Sequence, residues 1–173
     1  MTVILIAECG LKSSFTYHVT NIWTGNHGEG TSSYTAYGRE HTLFVADKVP
    51  IQGSSEPAFR GDPKLWNPEE MFVSAISACH MLWYLHICAV AGVRVLEYVD
   101  KAEGVLLVPR GEPGIFQEVT LNPEVVVAES AMIESANKLH EEAHKQCFIS
   151  NSIKIPVQIR SAARVASIES FYA

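Results

Sequence analysis

Residues 71–93 carry no Asp, Glu, Lys or Arg. Such a run has to leave water, either by crossing a bilayer, which takes about 20 residues, or by forming the central helix of a core. Ser74, Ser77, His80 and His86 interrupt it, it stands alone, and the flanking segments have amphipathic patterns. The core reading is therefore adopted, with no membrane partner. The start of the helix has a mechanism: Asn67 caps, Pro68 suits the first helical position, and Glu69 and Glu70 favour the positive dipole end. Helix is predicted from about 68 to 91, with Gly92 ending it. It is apolar on nearly every face, so it needs cover all round. A chain of 173 residues struggles to supply that cover alone, and a homodimer is expected.

The segments on either side predict the fold class. Residues 15–23 and 34–37 are aromatic and β-branched around a Gly-rich stretch, which reads as an opening hairpin. A third strand is expected over 42–49 and a loop over 50–63. After the helix, extended segments 93–99, 104–108 and 115–127 flank a Pro- and Gly-rich turn and predict a long hairpin. A second helix over about 129–146 carries Met132, Ala136, Leu139 and Ala143 as its buried stripe. Residues 153–159 alternate apolar and polar, with Pro156 marking an edge or a bulge. Together these make an α+β fold with antiparallel sheets around the long helix. A single domain over 15–173 follows a 1–14 extension.

A net charge of −6 leaves no basic face for a phosphate backbone, so nucleic acid is excluded as a partner. The apolar residues 3–7 lack a basic lead and a clear cleavage pattern, so a cytoplasmic location is expected. In that reducing compartment Cys9, Cys79, Cys88 and Cys147 are thiols. Each is then either inert core or chemistry.

Three pieces set Cys79 and Cys147 apart: Asn67-Pro68-Glu69-Glu70, then Ser77-Ala78-Cys79, then a distant Cys147 before Ser150-Asn151. Together they resemble the OsmC/Ohr family of hydroperoxide-reducing proteins over about residues 15–165. The resemblance implies an intertwined homodimer and a thiol peroxidase that uses no cofactor or metal, acts on organic hydroperoxides and is regenerated by a dithiol, for example of lipoyl type. It also implies a role in the stress response. Cys79 matches the family's first cysteine and Cys147 its second. Arg39, after Gly38, resembles the family's activating arginine, Arg60 is its competitor, and Glu69 resembles the glutamate that holds that arginine. Two positions depart from the pattern: His80 stands where an aromatic residue often follows the first cysteine, and Phe148 where proline often follows the second.

Physical chemistry assigns the two cysteines in the same order. Cys147 follows a helix C-terminus, where the dipole disfavours a thiolate, so it suits resolution better than first attack. Cys79 lies too deep in its helix to profit from the N-terminal dipole, and a cation from elsewhere is expected to activate it. Glu69 lies about 15 Å away along the helix and cannot serve Cys79 directly. Cys88 points about 180° away from Cys79 and reads as core. Phe72, Ile76 and Trp83 are expected to form an apolar wall for bulky peroxides.

His140-Glu141-Glu142-Ala143-His144 matches a zinc-hydrolase pattern, with Glu141 as general base and Cys147 as a possible third ligand. An amphipathic helix that happens to carry two histidines is the competing reading. His80 and His86 read as hydrogen-bonded core histidines, and His80 is turned about 100° from Cys79. A non-catalytic ligand-binding protein on the same fold is the third reading.

Overall fold

The structure, a computed structural model, describes residues 14–165. Cys9 and nearly all of the expected N-terminal extension therefore lie outside the described residues. Chain contacts gather into two compact units, Met1–Asn67 and Pro68–Ala173.

The first unit is built on one antiparallel sheet in the order β1 (Thr20–Trp23), β2 (His41–Phe44) and β3 (Ile51–Gly53). Residues 34–37 do not form the expected strand. They lie in a run of turns, where the Arg39 guanidinium sits 4.5 Å from the Tyr34 ring and 4.1 Å from the Tyr37 ring. The strand preference of aromatic residues is a preference for a packed surface, and here a cation supplies that surface. The partner of β1 is therefore β2, with Trp23 opposite His41. The expected strand over 42–49 stops at Phe44, and the expected loop over 50–63 contributes β3 and a 3-10 turn, Pro57–Phe59.

The second unit opens with α1 (Pro68–Val90), whose limits agree with the prediction to within a residue. Within one chain it buries a single stripe, Ile76, His80, Tyr84 and Cys88, at the four-residue spacing of one helical face. Leu82 and Val90 stay 63% and 70% exposed. By length and composition α1 could cross a membrane; in this unit it packs on α2 (Ile133–Gln146), β4 (Val95–Asp100) and β5 (Glu103–Leu107). Gly92, at φ 74°, ends it: the Val93 N–H reaches the Cys88 carbonyl at 2.9 Å and the Gly92 N–H reaches that of Ala89 at 3.3 Å, a Schellman closure. At Gly104 a Cβ would lie 2.5 Å from Val73 Cγ2, so glycine lets α1 approach the sheet.

The expected long hairpin is present but split between two sheets. β5 pairs with β6 (Ile115–Leu121) and β4 with β7 (Pro123–Val127), both antiparallel. β8 (Val157–Ile159) then joins β6 in parallel, and β9 (Ala162–Val165) joins β7 in parallel. The sheets of this unit are thus mixed rather than purely antiparallel, and β9 had no counterpart in the sequence reading. β8 is an edge strand that begins directly after Pro156, in keeping with the missing proline N–H. Tyr84, Cys88, Val125, Val127, Ala136 and Ala143 form one core, and Ile76, Val119 and Leu121 a second. The fold is α+β.

Candidate active site

Cys79 lies midway along α1, and Cys147 is the C-cap of α2, with backbone angles that leave the helix (φ −66°, ψ 109°). The fold brings the two together. Cys147 lies near enough to act on the Cys79 thiol, and so do the backbone N–H groups of Ile149 and Phe148. Cys147 Sγ accepts from Ser150 Oγ at 3.2 Å and from the Ser150 N–H at 3.5 Å. The turn after α2 therefore supplies the donors to Cys147 through Ser150 and, at Phe148 and Ile149, N–H groups that favour charge on Cys79. The turn is itself held: Asn151 N–H reaches the Cys147 carbonyl at 3.0 Å, Asn151 Nδ2 that of Lys145 at 2.7 Å, and Ser152 Oγ that of Phe148 at 2.7 Å.

Burial pushes the Cys79 thiol above its ordinary range, and the neighbouring Cys147 adds to this; the Ile149 and Phe148 N–H groups act in the opposite direction. The thiol is therefore held protonated at rest. The helix dipole gives no help at this depth, so the turn supplies the donors that α1 cannot.

The other proposed site residues are placed as follows. Arg39 belongs to the first unit, where it donates to the Tyr34 carbonyl at 2.9 Å and to the Tyr37 carbonyl. Arg60 belongs to the same unit, exposed and in a left-handed conformation (φ 71°), closing the 3-10 turn. Glu69 occupies the first turn of α1, half-buried. Of the expected apolar wall, Ile76 is wholly buried in the second core, and Phe72 packs on that core and against Phe116, ring centroids 5.0 Å apart. Trp83 is the member that reaches the cysteine turn, edge-on to Phe148 at 5.4 Å. Cys88 is core, as expected, at 1% exposure.

A histidine pair lies one residue further along the helix from Cys79. His80 and His140 are both buried, their Nε2 and Nδ1 are 3.0 Å apart, and their rings stack. The Tyr84 ring stacks on His140 at 3.8 Å while its hydroxyl donates to the Ala136 carbonyl. His80 Nδ1 and His140 Nε2 are buried without a hydrogen-bond partner. Burial, then the nearby His144, lowers the His80 pKa to about 4; burial, then His80, lowers that of His140 to about 3. Both rings are neutral in the fold at pH 7. The zinc pattern is thus taken apart, because His140 turns into the core towards His80 while Glu141 is exposed. Among the described residues no three His, Cys, Asp or Glu side chains are grouped closely enough to hold a metal ion. His86 is exposed rather than core, edge-on to Trp83 at 5.8 Å.

Sequence reasoning places His80 in the core with a hydrogen bond, as found, but identifies neither His140 as its partner nor Ser150 as a donor to Cys147. The four-residue stripe of Ile76, His80, Tyr84 and Cys88 was the available signal for His80. Nothing in the residue types announces the Phe148 and Ile149 N–H groups, since every non-proline residue carries one.

A family model described as OsmC-like protein matches residues 61–162. The chain belongs to the OsmC-like family. Solved structures agree on the fold. An OsmC-like protein of unknown function from Vibrio cholerae is similar at 28% identity and a TM-score of 0.77, over 86% of this chain and 99% of that one. An organic hydroperoxide resistance protein OsmC from Legionella pneumophila shares 17% identity, with a TM-score of 0.64 over 89% of this chain and 100% of its own. One from Elizabethkingia anophelis shares 18%, with a TM-score of 0.64 over 90% and 100%. At such identities the last two speak for the fold alone. Among curated proteins no relative matches. Within this OsmC-like chain the two departures from the family pattern now have places: His80 is half of the buried pair, and the Phe148 ring lies edge-on to Trp83.

Proposed function

We propose that the protein is a thiol peroxidase for organic hydroperoxides, with Cys79 as the attacking and Cys147 as the resolving thiol. The observation that supports this reading is the pair itself, two free thiols far apart in sequence that lie near enough to act on one another. The Cys79 thiolate attacks the peroxide, the O–O bond breaks, an alcohol leaves with one proton, and the sulfur becomes a sulfenic acid. Cys147 then attacks that sulfur, hydroxide leaves and is protonated to water, and a disulfide forms. A dithiol, for which a lipoyl group would serve, returns two electrons. The reading belongs in a reducing cytoplasm.

Because burial keeps the proton on Cys79, the first step needs a cation. Arg39 is proposed for it, stabilising thiolate and peroxide, with Glu69 orienting the guanidinium at a site that a second copy of the chain completes. The exposed apolar residues Leu82 and Val90 of α1 support a homodimer, and light scattering at micromolar concentration should give twice the chain mass; a monomer would sink the shared site.

Mass spectrometry after one equivalent of cumene hydroperoxide tests the chemistry. A Cys79–Cys147 disulfide is expected, formed more slowly in Arg39→Ala and at the native rate in Arg60→Ala. Unmodified Cys79 would point instead to a ligand-binding protein that keeps the fold without the activity.

A further inference from the structure

The turn after α2 does more than end a helix. Ser150 directs both its N–H and its hydroxyl at Cys147, at 3.5 and 3.2 Å, and the N–H groups of the preceding Phe148 and Ile149 favour charge on Cys79. Cys147 is fully buried, and a sulfur out of water must find its donors in the protein if it is to carry charge. A hydroxyl group can rotate its proton towards a thiolate, and a donor to an ionised acceptor is about twice as strong as one to a neutral acceptor.

We infer that Ser150 stabilises the thiolate of Cys147 for its attack on Cys79, through the hydroxyl and the N–H that it directs at that sulfur. In the resolving step the Cys147 sulfur gives up its proton, forms the S–S bond and expels the group held by Cys79. That group is hydroxide when Cys79 is a sulfenic acid, and a thiolate when Cys79 is in a mixed disulfide. The inference rests on the proposed roles of the two cysteines but not on peroxide as the oxidant. Ser150 is set in place by the same hydrogen bonds from Asn151 and Ser152 that hold the turn.

The two steps separate in thiol–disulfide exchange on the full-length protein with Cys9→Ser. One equivalent of 2,2′-dithiodipyridine is attacked by Cys79 and releases one thiopyridone; Cys147 then displaces the second as the cysteines join. Cys147→Ser identifies the phases by abolishing the second. Ser150→Ala should leave the first phase within about twofold and slow the second about tenfold, the size of a lost hydrogen bond to a charged group. Ser150→Gly, a second deletion of the hydroxyl, should behave alike, and Ser150→Thr, which keeps it, should restore the second phase. A second phase at the native rate in the alanine and glycine variants, equal slowing of both phases, or a threonine variant as slow as alanine would each overturn the assignment. Separately, the absence of hydroperoxide consumption by the unaltered protein would remove the peroxidase reading while leaving this test intact.

Discussion

Cys79 and His80 are neighbours on α1, and each meets a partner brought by α2, yet the two junctions have opposite characters. The sulfur pair has donors beside it, Ser150 on Cys147 and the Phe148 and Ile149 N–H groups acting on Cys79, and Cys79 is partly exposed. The imidazole pair is fully buried, stacked against Tyr84, and left with two ring nitrogens that have no partner. One helical step of about 100° separates them. Chemistry needs access and donors for a developing charge, whereas a packed core needs neutral groups and shape. α1 supplies both from adjacent residues because its two faces meet different surroundings.

The sharpest way to break this contrast is to remove the thiols. Cys79→Ser should abolish hydroperoxide consumption while costing about 1 kcal/mol or less in stability, since the volume is nearly kept. Cys147→Ser should consume one peroxide per site and then stall, with Cys79 advancing to sulfinic acid as peroxide rises. Intact-mass analysis reads both results. A Cys79→Ser protein that still turns over would show that the sulfur pair is not the reactive one.

The imidazole pair should respond in the reverse sense. His140→Ala leaves a void and an unpaired His80 nitrogen, and should cost about 2–4 kcal/mol in urea unfolding. His80→Leu combined with His140→Leu removes both polar groups and should recover most of that loss, with single-turnover oxidation of Cys79 unchanged per folded molecule. Loss of oxidation in the folded double variant would join the two junctions into one machine.

The same pair should also make stability depend on pH. His80 and His140 titrate at about 4 and about 3 in the fold, below the value of about 6.5 for an unfolded histidine. Between these limits the unfolded chain binds more protons than the native one, so stability is full above about pH 6.5 and falls as pH drops towards 4. Each histidine contributes a slope of about 1.4 kcal/mol per pH unit at most. Urea midpoints measured from pH 7.5 to 4.5 should show this fall, and the double leucine variant should flatten it.

Much of the framework was legible in order of residues alone. Asn67-Pro68-Glu69-Glu70 and Gly92 marked the limits of α1 because capping and dipole effects are local. The alternation over 153–159 marked an edge strand because side chains alternate across a sheet, though the strand itself is only Val157–Ile159. The cysteines of the candidate site were singled out by their pattern and by the absence of competing thiol chemistry at Cys88. Other features depended on what the residues meet. Residues 34–37 have the composition of a strand but wrap the Arg39 guanidinium; His140 belongs to a zinc-like pattern but lies against His80; Ile76 looks like a pocket wall and is core. In each case several local conformations or orientations are nearly equal in energy, and a distant partner decides among them. The order of residues determined where α1 begins and ends and marked Cys79 and Cys147 as the candidate pair. Only the tertiary structure decided that Cys79 comes beside Cys147, that Ser150 donates to Cys147, and that the next residue on the helix belongs to the core, because hydrogen bonds and burial between segments distant in sequence are set by the packing of α1 on α2.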